Sequence, residues 1–376
     1  MKVSCLQENL AKGLGVVSRA VSTRSTLPVL ANVLLATDGG RLKLSATNLE
    51  IVITCWIGAK VTEEGSITVP ARTLNDLVNT LPPDQVEMEL DTKTQTLHLI
   101  CARTEANIKG IDSTEFPLVP EPGEDSRHRI EAKVLKTMIN QVAFAAATDD
   151  ARPTLTGVLT KMKGSTISMA ATDGFRLSVR TAQFPGDAVE PMEVIIPARA
   201  LNELARIADD TETVAISMPE GRNQVIFDME NIVLVTQLID GNFPDYEPVI
   251  PQRHATRTVL NAGEFAKACK MAEIFAREAS HTARVRIEPG NELMPGYATI
   301  SAVSSETGDN VAQIDAVVEG EGVEIAFNVR YMSQVLSVID SPQVALETTK
   351  STDPGVIRPV GDDDYLHIIM PMHFGR

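Results

Sequence analysis

The sequence predicts an α+β fold in which one domain is written three times in tandem. Three observations predict it: a fourteen-residue helix motif that recurs, a second helix type that also recurs, and strand-like runs that follow each helix. The length of 376 residues leaves room for two or three domains of ordinary size.

The motif reads VPARTLNDLVNTLP at 69–82 and IPARALNELARIAD at 196–209, 127 positions later, with a fainter copy, FNVRYMSQVLSVID, at 327–340. In the first copy Leu74, Leu77, Val78 and Leu81 fall at i, i+3, i+4 and i+7. The second has Leu201, Leu204, Ala205 and Ala208 at those offsets, and the third has Met332, Val335, Leu336 and Ile339. That spacing puts the apolar side chains on one helical face. Pro70 and Pro197 stand near the helix starts, where a missing N–H costs nothing, and Pro82 and Pro83 stop the first helix.

The second helix type carries a stripe of smaller residues. It runs through Leu10, Gly13, Leu14, Val17 and Val21, then Leu135, Met138, Ile139, Val142 and Ala146, then Phe265, Ala268, Cys269, Ala272 and Ala276. Between the helices lie strand-like runs such as RLKLSAT after the turn DGG. Hairpin-like pairs such as QVEMELDTKTQTLHLI follow each copy of the motif. Each third therefore reads helix, strands, helix, strands. Proline and charge at VPEPGEDSRHR and IPQRHATR place the joints, giving domains at 1–124, 125–254 and 255–376.

Composition narrows the function classes. Hydrophobic residues make up 43% and aromatics 4%, so the cores are expected to be aliphatic. No stretch approaches the roughly 20 apolar residues of a membrane span, and the start lacks a secretion signal, so the expected location is cytoplasmic. The four cysteines are scattered with no CxxC pair, which favours buried free thiols. A net charge of −16 argues against general nucleic-acid binding by the average surface, but the distribution of charge could reverse that locally.

One local exception repeats. Arg72, Arg199 and Arg330 hold the equivalent place in the three motif copies. A positive charge in a helix's first turn opposes the macrodipole at a cost of about 0.3–1 kcal/mol, so three such placements point to a common use such as holding phosphate; three unrelated surface arginines are the alternative. The first helices add Lys12, Arg19, Lys133, Lys136, Lys267, Lys270 and Arg277, enough for one positive face.

TLPVLANVLL at 26–35, ATDGFRLSV at 171–179, DGNFPDYEPVIP at 240–251, FNVRYMSQVL at 327–336 and the terminal MPM at 370–372 resemble the bacterial DNA polymerase III β subunits, the sliding clamps. The resemblance covers the whole chain in order. It implies three clamp domains with helices lining a ring and antiparallel sheets outside, and a homodimer closed head to tail around duplex DNA. It also implies a non-catalytic role without cofactor or metal. The expected partners are the replicative polymerase, an ATP-driven clamp loader and other proteins that carry a clamp-binding peptide.

The family's residues carry over position by position. Arg24 matches a DNA-contacting loop position and Arg199 lies near another, joining Arg72, Arg330, Lys12, Lys136 and Lys267 as DNA-facing candidates. The partner-peptide pocket falls on Leu155, Thr172, Gly174, Phe175, Arg176, Leu177, Pro244, Val249, Asn328, Tyr331, Met370, Pro371 and Met372. Dimer-interface positions fall on Ile108, Ile274 and Phe275, for which ordinary core is the competing reading. The chain departs from the family at Phe175, where His is common, at Glu247 and Pro248, where basic residues are common, and in the ending HFGR.

Enzyme readings lack their residues. The six histidines form no HExxH or HxH pattern, no Walker loop or nucleophile elbow is present, and GDDD at 361–364 reads as a solvated turn. A triplicated enzyme or small-ligand protein with a site between domains is the runner-up; a purely structural oligomer is the third reading.

Overall fold

The computed structural model describes residues 1–22, 27–119, 128–184, 189–208, 211–219 and 221–373. The same element order occurs three times. The first repeat runs β1 (Lys2–Leu6), α1 (Gln7–Val17), β2 (Asn32–Asp38), β3 (Arg41–Thr47), β4 (Ile51–Gly58), β5 (Lys60–Glu63), β6 (Ser66–Pro70), α2 (Ala71–Thr80), β7 (Gln85–Asp91), β8 (Thr96–Cys101) and β9 (Thr104–Lys109). The second runs β10 (His128–Glu131), α3 (Ala132–Val142), β11 (Gly157–Gly164), β12 (Thr166–Thr172), β13 (Arg176–Gln183), β14 (Val189–Pro197), α4 (Ala198–Ile207), β15 (Thr213–Ser217), β16 (Gln224–Met229) and β17 (Ile232–Gln237). The third runs β18 (Thr256–Asn261), α5 (Ala262–Ala276), β19 (Thr282–Glu288), β20 (Gly296–Ser304), β21 (Gly308–Gly320), β22 (Val323–Asn328), α6 (Val329–Leu336), β23 (Gln343–Thr348), β24 (Gly355–Pro359) and β25 (Tyr365–Ile369).

The helical stripes read from the sequence are buried except at Leu77 and Val21, which are half-buried, Val21 lying past the end of α1. On α5, Phe265, Ala268, Cys269, Ala272 and Ala276 are all buried, as are Leu10, Gly13, Leu14 and Val17 on α1. Small residues permit the close approach: a Cβ at Gly13 would stand 2.6 Å from Leu44 Cδ1 and 3.0 Å from Ile57 Cγ2. The four cysteines are buried and unpaired. Burial pushes the Cys55 thiol up to about 11 against a small opposing pull from Lys12, so it stays protonated and behaves as core.

Six strands escape the hairpin pattern in the sequence: the opening strands β1, β10 and β18 and the closing strands β9, β17 and β25. They are short, and they are strands because of their pairing partners. All paired strands are antiparallel. After each closing strand the chain recrosses the strand that precedes the repeat's second helix. Thr68 bridges Ile111, Ile239 donates its N–H to Ile195 O at 2.9 Å, and Ala326 bridges Met372.

By compactness the chain divides into two units, residues 1–135 with 203–238 and residues 136–202 with 239–376. The first holds a five-stranded sheet, β5-β1-β7-β8-β9, and an eight-stranded sheet, β10-β15-β16-β17-β4-β3-β2-β6. The second holds one twelve-stranded sheet, β14-β11-β12-β13-β25-β24-β23-β18-β21-β20-β19-β22. In each unit one repeat is welded to the next by a strand pair, which we call a seam. In the first unit β17 joins β4, with Ile232–Thr236 opposite Cys55–Ile51; in the second β25 joins β13, with Tyr365–Ile369 opposite Arg180–Arg176.

Candidate functional site

The β13 seam begins at a turn that the sequence writes as Thr172-Asp173-Gly174-Phe175. Asp173 Oδ1 accepts from the N–H of Phe175 at 2.9 Å and of Arg176 at 3.1 Å, a side-chain mimic of a backbone turn. Thr172 Oγ1 donates to Arg176 O and accepts from Gly174 N–H. Gly174 has φ +94°, a left-handed conformation that favours glycine; the tip of the flexible Arg152 side chain lies beside it. The turn holds Phe175 outward at 62% exposed.

Arg176 follows directly and points the other way, at 8% exposed. Its Nε donates to Asp173 Oδ2 at 2.9 Å, its Nη2 to Phe144 O at 2.8 Å, and its Nη1 to Gln334 Oε1 on α6. The guanidinium also lies over the Tyr331 ring, 4.3 Å from the centroid, and over Phe144 at 5.4 Å. A buried cation is tolerated only when paired and hydrogen-bonded, and each nitrogen of this one has an acceptor. Burial, reinforced by the Asp173 charge, pushes the Tyr331 phenol above its ordinary range.

The candidate pocket residues gather in the second unit around this knot. Met370 donates its N–H to Phe175 O at 2.9 Å, and Met372 donates to Ala326 O at 2.8 Å. Leu177 faces Ile368 across the seam, and both belong to a buried cluster with Leu159, Ala170, Ile195 and Val356. Phe243, Tyr246 and Ile250 pack against that cluster, which puts Pro244 and Val249 at its border, both exposed. Leu155 is buried in a short 3-10 turn, its N–H bonded to Arg152 O. Asn328 caps α6, its Oδ1 accepting from Arg330 and Tyr331 N–H. Phe175, Val249 and Met370 leave large apolar surface in water, and Pro371 and Met372 are half-buried.

The basic candidates lie on helices. Arg72, Arg199 and Arg330 are exposed in the first turns of α2, α4 and α6; Arg72 Nε stands 3.7 Å from Asp76. Lys12 and Lys267 are exposed on α1 and α5, and Lys136 is half-buried on α3. Arg19 pairs with Glu203 at 3.2 Å. Arg24 lies outside the described residues.

Residues 1–120 match the N-terminal domain of the DNA polymerase III beta subunit family, residues 129–245 its central domain and residues 247–373 its C-terminal domain. The chain belongs to this family, the bacterial sliding clamps. The beta sliding clamp of Staphylococcus epidermidis is 32% identical over 363 residues, 94% of each chain, and that of Staphylococcus aureus is 31% identical over the same share. The solved Bacillus subtilis clamp superimposes with a TM-score of 0.93 at 30% identity, and a Pseudomonas aeruginosa clamp with 0.89 at 29%, each covering 100% of both chains.

Sliding clamps of this family are non-catalytic processivity factors. Asp362, in the GDDD run, takes the Arg180 guanidinium, and its Oδ1 accepts the N–H of Asp364. Among the described residues no helix is long and apolar enough to cross a membrane.

Sequence reasoning missed one cluster in this clamp. His367 is fully buried on β25, with Nδ1 2.6 Å from Ser178 Oγ and its ring stacked on Phe144 at 5.3 Å. Tyr365 beside it donates its hydroxyl to Gln141 O at 3.0 Å. Burial, with help from Arg176, drives the His367 pKa down to about 3. The signal was a histidine and a tyrosine at alternate positions of an otherwise apolar strand, YLHII.

Proposed function

We propose that the chain, as three clamp domains at about 1–124, 125–254 and 255–376, closes head to tail with a second copy into a ring around duplex DNA. The ring confers processivity on the replicative polymerase and tethers partners through a hydrophobic peptide pocket. The observation that carries this reading is the register of the two seams. In each, the closing strand of one repeat pairs with the third strand after the first helix of the repeat before it, β17 with β4 and β25 with β13.

Two strands are left with that edge open. Among the described residues β9, the first closing strand, pairs only with β8, and the Gly308–Asp315 half of β21 pairs only with β20. Each is the complement that the other seams use, so a second copy supplies a third seam and its mirror, and in two chains every closing strand then has a seam partner. Ile274, 59% exposed on α5, extends from a helix that packs on β20 and β21, beside that open edge. Phe275 is half-buried against the same core. Ile108, at 6% exposed, lies within its own domain and would support β9 from beneath.

The charge distribution supports DNA threading. With −16 overall, the exterior repels a duplex that carries about one charge per 1.7 Å, while Lys12, Lys136, Lys267, Arg72, Arg199 and Arg330, together with Arg24, are the candidates for phosphate contacts. Retention is topological, loading requires an ATP-driven partner, and no cofactor is called for. Phe175, Met370 and Val249 accept the partner's apolar anchors. Two such anchors at about 1.5–3 kcal/mol each, less ordering costs, give roughly micromolar affinity.

Native mass measurement tests the ring: a dimer is expected at micromolar concentration, and monomers there would sink the closed-ring reading. Ile274→Glu places an unpaired carboxylate in the third seam and should weaken the dimer about a hundredfold or more. Loaded protein should stay on circular DNA and leave on linearisation. Fluorescence anisotropy tests the pocket, which should bind an apolar peptide and lose it on deletion of Met370–Arg376.

A further inference from the structure

A recess of about 300 Å³ lies outside every residue assigned so far, walled by the 251–254 segment and the β23–β24 hairpin. Its chemistry is unlike the rest of this acidic chain. Glu347 lines it with the side chain 15% exposed, and two guanidiniums and an imidazole converge on it. Arg358 Nε stands at 3.2 Å, Arg257 Nε at 3.6 Å and His254 Nδ1 at 3.9 Å. One carboxylate is thus met by two guanidiniums and an imidazole. Arg253 lines the same recess, and among the described residues it has no ion-pair partner; only its backbone carbonyl is bonded, to Thr349 Oγ1. Asp363, exposed, stands on the wall as the second acid. Two arginines, Arg253 and Arg358, and two carboxylates line the recess; Glu347 is committed to Arg358 and to Arg257 behind it, which leaves Arg253 as the lining guanidinium without an acidic partner among the described residues. Arg358 commits Nε to Glu347 and, with five donors on a guanidinium, keeps donors for another acceptor.

The recess borders the apolar cluster beneath the peptide patch. Val356, which lines it, belongs to the cluster that contains Leu177 and Ile368; Ile250, which packs on that cluster, is followed directly by the recess residue Pro251. An extended segment advances about 3.3 Å per residue, so a chain lying over Val249 and Leu177 reaches Arg253 within a few residues.

We infer that this recess is a charge-reading subsite of the partner pocket, which takes an acidic side chain flanking the apolar anchors of the bound peptide. The inference rests on the peptide-pocket reading above. Arg253 is its specificity residue, with Arg358 as second donor. Glu347 holds Arg358 and Arg257 in place, and excludes a basic flank by like-charge repulsion from the arginines it orients.

The test uses the full chain and fluorescein-labelled peptides with one apolar Leu-Phe core. The residues beside the core, on either side, are Asp, Asn or Lys, and anisotropy is read at low and high salt. At low salt the peptide with Asp on one side is expected to bind about fivefold tighter than the Asn peptide, with the Lys peptide weakest; the spread should shrink at high salt. Arg253→Glu should abolish or invert the preference and Arg253→Gln should remove it, each read as the ratio of Asp-peptide to Asn-peptide affinity within the same variant. Equal binding of Asp and Asn peptides at both ends overturns the subsite and leaves the pocket standing, as does a preference that survives both substitutions. Failure of the Asn peptide to bind the unaltered chain overturns the pocket reading and the subsite together.

Discussion

The two seams share one backbone pattern and differ in what they bury. At β4–β17 the inner face is Ile51, Ile53 and Cys55 against Ile232, Leu234 and Thr236; at β13–β25 the same register positions are Arg176, Ser178 and Arg180 against Tyr365, His367 and Ile369. The outer faces are alike, with Val52, Val233 and Val235 at one and Leu177, Val179, Leu366 and Ile368 at the other. An antiparallel ladder satisfies the backbone in both, so side chains are free to diverge. The first seam is an apolar weld. The second holds a turn, two helices and the chain's last strand in one polar network, beneath the patch proposed to receive peptides.

The largest contrast should come from Arg176→Ala. It strands Asp173, Phe144 O and Gln334 together, and the expected cost is about 3–5 kcal/mol by chemical denaturation. The peptide should be lost as well, because the Asp173 turn that presents Phe175 loses its counter-charge. Retained peptide affinity in a folded Arg176→Ala protein would break the link between network and pocket.

A pH titration comes next. His367 titrates near 6.5 when unfolded and near 3 when folded, so the unfolded chain binds the extra proton first. Stability should be full above pH 6.5 and decline as pH falls from there towards 3. His367→Leu copies its register counterpart Leu234 and should flatten that part of the curve; an unchanged acid limb would show that other groups control it.

Ile53→Val, in the first seam, should cost about 0.5–1.5 kcal/mol and leave peptide affinity unchanged. A shift in affinity there would mean that the seams are coupled. Smallest is Asp362→Asn at the half-exposed Arg180 pair, worth no more than about 1 kcal/mol and readable as a small change in denaturation midpoint.

Much of this was legible in the sequence, for reasons that differ by element. The helical faces were, because residues at i, i+3, i+4 and i+7 meet through local geometry alone. Thr172, Gly174 and Leu177 were within reach because a turn and a strand are also local. Arg176 was legible only as a position, by resemblance. Its burial depends on Phe144, Asp173, and Tyr331 and Gln334 of α6, which come from three separate segments. Asn328 shows the reverse: carried over as a pocket residue, it is first of all the cap of α6. His367 was overlooked because an isolated histidine in a strand carries no signature of its surroundings.

By itself the sequence determined the threefold repeat, the face that each helix buries and the places where strands run, because these follow from periodicities of 3.6 and 2 and from turn chemistry within about ten residues. Only the tertiary structure decided which strands pair across repeats, which edges stay open, and whether a charged residue is exposed or knotted into a core. Those outcomes depend on partners more than a hundred positions away: Leu177 meets Ile368, and Arg176 reaches Gln334, through contacts that no window of the sequence contains.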